Sequence, residues 1–130
     1  MKILFGLLLA GCIDEPPRDV YVSWQTQGRS STVPEEEVGV RVFYFGDDLG
    51  GQTSDWVMGY DGATRVTVRE AGSTSEVCLR LQRRQTILTE QFGQEVVDYD
   101  YTAMSEMQCK DVPVDSSSHP GSFELVLTGT

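Results

Sequence analysis

The sequence predicts an all-β domain, an antiparallel β-sandwich of about seven or eight strands with one disulfide. Three observations point there. Short runs alternate apolar and polar residues with a period of two, and clusters of Gly, Pro, Asp and Ser separate them about every ten residues. Beyond residue 12, the cysteines are Cys78 and Cys109, which allow a single intramolecular pairing.

Taken in order, Val20, Val22 and Trp24 share one face of a first strand. Val38, Val40, Val42 and Tyr44 line one face of a second, and Phe43 and Phe45 make its other face apolar too, as in a central strand. Asp61 and Gly62 then separate the runs 55–60 and 63–69. Both residues tolerate the positive φ of a type I′ turn, so the two runs are expected to pair as a hairpin, with residue 57 opposite 66 and 56 opposite 67. One face of that hairpin carries Val57, Gly59, Val66 and Val68; the other carries Trp56, Met58, Tyr60, Arg65, Thr67 and Arg69.

Residues 77–92 fit two periods. Val77, Leu81, Leu88 and Phe92 have helical spacing, but Thr86, Ile87 and Thr89 favour a pleat, so two strands, 76–82 and 85–91, are expected, with a helix as the alternative. Val97, Tyr99 and Tyr101 alternate with Asp98 and Asp100, and Phe123, Leu125 and Leu127 supply the last strand. Asp98 and Asp100 are placed to pair across strands with Arg80 or Arg83 if those strands are neighbours. Gln27 to Glu37 and Asp111 to Gly121 read as polar loops. The pattern suits an immunoglobulin-like or a transthyretin-like strand order.

The start of the chain differs in kind. Lys2 precedes a short apolar run, Ile3 to Ala10, too short for the roughly 20 apolar residues of a spanning helix. Leu9, Ala10, Gly11 and Cys12 follow, and then Asp14, Glu15, Pro16 and Pro17, which stop helix and burial together. The Leu-Ala-Gly-Cys run resembles the lipobox of bacterial lipoproteins. That resemblance implies a signal peptide over 1–11, acyl chains on Cys12, a short tether to residue 18 and a single β-sandwich domain over 19–130. It also implies a membrane address, since each buried methylene contributes about 0.8 kcal/mol and two or three chains hold firmly where one does not. Ile13 stands where some enteric bacteria place a retaining aspartate, which tilts the expected location to the outer membrane, facing the periplasm. Val40, Arg41, Val42 and Phe43 also bear a likeness to an early strand of the small lipoprotein of type VI secretion systems, but it implies no partner or binding residue here.

The chain has 20 acidic and 10 basic residues, a net charge of −10, and loss of Lys2 with the leader leaves 20 carboxylates against nine cations. Nucleic acid and anionic surfaces would be repelled. Two cysteines in an exported chain are expected to oxidise, pairing Cys78 with Cys109. No metal or other cofactor is expected: His119 is the only histidine, and the acidic loop with Asp47, Asp48 and Asp55 matches no ordered calcium signature. No Gly-x-Ser-x-Gly sequence presents a nucleophile, so an enzyme is not expected. The expected function is noncatalytic binding of another envelope protein near the bilayer, with Trp56, Met58, Tyr60, Arg65 and Arg69 as the binding set, because these residue types are enriched in protein-binding hot spots. Two alternatives stand beside it: an immunity or inhibitor protein whose acidity complements a basic toxin or cell-wall hydrolase, and a calcium-dependent glycan binder or enzyme.

Overall fold

The computed structural model describes residues 17–46, 51–69 and 72–128. The expected leader, Cys12 and most of the expected tether lie outside them, as do Asp47 and Asp48 of the acidic loop. Eight strands are formed: β1 (Arg18–Gln27), β2 (Val38–Phe45), β3 (Gln52–Met58), β4 (Gly62–Val68), β5 (Thr74–Gln91), β6 (Gln94–Ala103), β7 (Gln108–Pro113) and β8 (Gly121–Val126). They make two packed sheets, one in the order β4-β1-β8 and the other β3-β2-β5-β6, with β7 also paired to β5. All pairs are antiparallel except β1 with β8, which run parallel from Val22 opposite Gly121 to Gln27 opposite Val126. The sandwich is therefore mixed along that one seam.

Alternation explains the core. Val20, Val22 and Trp24 of β1, Val66 and Val68 of β4, and Phe123 and Leu125 of β8 turn inward from one sheet. Val40 and Val42 of β2 and Val77, Leu79 and Leu81 of β5 meet them from the other. Each fully buried aliphatic side chain contributes about 1.5–3 kcal/mol of transfer free energy. Cys78 lies opposite Cys109 in the β5–β7 ladder, and the two are joined as a disulfide. Among the described residues no helix is long and apolar enough to cross a membrane.

Three expectations are corrected. The hairpin over 55–69 does not exist: β3 pairs with β2 and β4 with β1, so the two runs lie in different sheets. Neither Asp61 nor Gly62 has positive φ; Gly59, at φ 119°, takes the sharp bend instead. The Asp61 carboxylate is used elsewhere, accepting from the Thr26 amide at 2.9 Å while Thr26 Oγ1 donates to the Tyr60 carbonyl at 2.6 Å. These bonds pin the crossover to the end of β1.

Secondly, there is no turn near residues 83 and 84. β5 runs unbroken for 18 residues, neither two strands nor a helix. Thirdly, β7 was not expected as a strand. It continues the edge begun by β6 after an interruption over 104–107, where the Ser105 hydroxyl accepts from the Leu81 amide at 2.9 Å and Met104 donates its amide to the Leu81 carbonyl at 2.8 Å. The side chain thus replaces a ladder partner that the kink removes.

Candidate functional site

β5 has neighbours on both sides only along its first part. β2 pairs with residues 78–83 and stops at Val38 opposite Arg83, whereas β6 follows β5 all the way from Gln82 to Gln91. Beyond Arg83 the β5–β6 pair is therefore a two-stranded arm, about 25 Å long at the usual rise per residue. Its root is braced by Glu37, which accepts from Arg83 Nε at 2.7 Å. The arm leaves the body beside Val38, near the end of β1. The chain enters at Arg18, paired with Val68 at the opposite pole, where Arg69 donates its amide to the Phe45 carbonyl at the end of β2. Arm and chain entry thus point away from each other.

Exposed apolar side chains stand on both faces of the arm, among polar ones that include Glu90 opposite Glu95. Leu88 opposes Val97 on one, and Ile87 and Val96 share the other. Leu88 is 61% exposed and Val97 54%. At the tip, Phe92 and Gly93 have φ of 51° and 77°, the positive pair of a type I′ turn, and Phe92 is 103% exposed. A bulky side chain in the left-handed region costs roughly 1–2 kcal/mol, and an exposed ring recovers none of it through packing.

The face with Leu88 and Val97 runs back from the arm over the outside of the five-stranded sheet, where alternate side chains of β3, β2, β5 and β6 line up in register. Trp56 opposes Arg41, Arg41 opposes Arg80, and Arg84 opposes Tyr101. The Arg84 guanidinium lies 4.0 Å from the centre of the Trp56 ring and 4.2 Å from that of Tyr99. Arg41 lies 4.0 Å from the Tyr101 ring and donates through Nε to Ser54 Oγ at 2.9 Å. Trp56 reaches this position because Gly39 beneath it has no side chain: a Cβ there would come within 2.4 Å of the indole. Stacked guanidinium pairs of this kind contribute about 0.5–1 kcal/mol each and hold the arginines in place without neutralising them.

The five expected binding residues are not brought together. Trp56 and Met58 stand on this outer face. Tyr60 is buried at 7% exposure, its hydroxyl accepting from the Ser30 amide at 2.9 Å, so it serves the core. Arg65 lies on the other sheet, with Asp19 4.0 Å away, and Arg69 follows the end of β4. Asp98 and Asp100 oppose Ile87 and Gln85 rather than Arg80 or Arg83. His119 sits in an exposed turn, where its Nδ1 meets Ser118 Oγ at 3.0 Å and Ser116 Oγ at 3.2 Å. Among the described residues, no three His, Cys, Asp or Glu side chains are grouped to hold a metal ion.

Arg41, Arg80, Arg84, Leu88, Phe92 and Val97 were not in the expected set. Two signals for them exist in the sequence: apolar residues at both parities in 87–88 and 96–97, and arginines at the even positions 80 and 84 of one unbroken strand. No protein-family model matches this chain, nor does any curated protein or any solved structure.

Proposed function

We propose that this chain is a noncatalytic, lipid-anchored binding protein of the bacterial envelope that grips a protein partner with its β5–β6 arm. The observation that carries the reading is Phe92. An aromatic ring with no cover, in a backbone conformation that asparagine or glycine would adopt more cheaply, is hard to explain by stability and suits an anchor for a partner's pocket. Leu88, Val97, Ile87 and Val96 extend that apolar surface along both faces, and the β5 edge past Arg83 offers unpaired backbone groups to an added strand.

The membrane attachment rests on the lipobox resemblance at Leu9 to Cys12. With chain entry at one pole and the arm at the other, an anchor on Cys12 would aim Phe92 away from its own bilayer and towards molecules in the periplasm. A photocrosslinking phenylalanine analogue at position 92, in the full chain in its native envelope, tests the arm. The expected result is one protein adduct of discrete mass, absent when the analogue replaces Arg65 on the opposite sheet. A lipid adduct, or none, contradicts the reading. Palmitate incorporation that disappears in Cys12→Ala tests the anchor separately.

A further inference from the structure

Three arginines on the outer face have no carboxylate partner among the described residues. Arg29, Arg65 and Arg83 each have a carboxylate within 4.0 Å. Arg41, Arg80 and Arg84 have none among the described residues, in a chain with 20 acidic side chains. Arg41 and Arg80 stand directly opposite each other, an arrangement that like charges disfavour.

We infer that this face binds a carboxylate-rich stretch of polypeptide belonging to the same partner that the arm grips. The identity of that partner rests on the arm reading above; the anionic preference rests on the arginines alone. Guanidinium groups stacked on aromatic rings keep their edge N–H donors for carboxylate oxygens, which accept them in pairs. A polypeptide suits the site better than a lipid surface or a free phosphate. It can offer carboxylates to Arg41, Arg80 and Arg84, apolar side chains to Leu88 and Val97 on the same face, and backbone groups to the open edge of β5. A bilayer supplies no strand to that edge.

The test uses the full chain with fluorescent poly-L-glutamate as the probe, followed by anisotropy. Binding is expected at low salt and should weaken as salt is raised, because exposed charges are screened. Arg80→Gln combined with Arg84→Gln should weaken it by about tenfold or more, the loss expected when central charged contacts are removed. Arg65→Gln should leave it unchanged. Arg41→Gln is an independent removal, used if the double variant melts early. Poly-L-glutamate that does not bind, or that responds equally to Arg65→Gln, overturns the inference. So does tighter, arginine-dependent binding to phosphatidylglycerol vesicles, or self-association of the chain through the same arginines.

The two readings fail separately. A protein adduct at position 92 with no poly-L-glutamate binding would leave the arm standing and remove the acidic partner. Arginine-dependent poly-L-glutamate binding with no adduct would do the reverse.

Discussion

The two parts of β5 make the instructive comparison, because one continuous strand serves two purposes. From Thr74 to Arg83 it is paired with β7 and then the start of β6 on one side and, from Cys78 onward, with β2 on the other. Val77, Leu79 and Leu81 are fully buried there, and a disulfide ties Cys78 to the neighbouring strand. From Arg84 to Gln91 its only neighbour is β6, and Leu88 and Ile87 are exposed. The first part stabilises the fold; the second takes support from it. Isolated two-stranded ribbons are marginal in water, so the arm depends on the body for its order while adding little to the body's stability.

The largest effect expected on this contrast comes from Leu79→Ala, which should destabilise by about 4 kcal/mol through lost burial and a residual cavity, whereas Leu88→Ala should stay within about 0.5 kcal/mol. Urea unfolding of the pair measures both. Next, replacing Cys78 and Cys109 together by serine should cost about 3.5 kcal/mol for a sequence separation of 31 on the chain-entropy model. Thermal melting with and without reductant checks it, and the wild type in reductant should approach the variant. Gly39→Ala is smaller, about 2 kcal/mol, since the new methyl meets the Trp56 ring and the Val57 carbonyl and the indole must move. A changed tryptophan emission should accompany it, with weaker poly-L-glutamate binding because Arg84 loses its platform.

A gain in stability is the most telling change. Phe92→Asn should stabilise the chain by about 1 kcal/mol, because asparagine accepts positive φ more readily than phenylalanine. The same substitution should abolish partner capture. Loss of stability instead would mean that the ring is packed.

Much of the fold was legible in the sequence because alternation is local. Val20, Val22 and Trp24, or Val38 to Phe45, announce strands without reference to anything distant, and two cysteines leave one pairing. Strand partners were less legible, because a turn signal describes residues and not where their neighbours go. Asp61-Gly62 suits a hairpin, yet the Asp61 carboxylate bonds to the Thr26 amide, 35 residues away in sequence, and the chain crosses between sheets. Phe92-Gly93 forms the type I′ turn although phenylalanine disfavours it, so propensity pointed to the wrong site. The expected binding set depends on the same hairpin. Trp56 and Met58 lie on the outer face, but Tyr60 and Arg65 would join them only through a pairing that does not occur, and Arg41, Arg80 and Arg84 come together only once β2, β3 and β5 are in register.

Excising the arm separates scaffold from binding element most directly. Residues 85–100 are removed and Arg84 is joined to Tyr101 through an Asn-Gly turn; melting temperature and co-isolation of the protein crosslinked at position 92 are then measured together. The account predicts a melting temperature within a few degrees of the intact chain and loss of most of that protein, any remainder being released by salt as the arginine face is screened. An armless chain that still retains it, or one that no longer folds, would contradict the division of labour along β5.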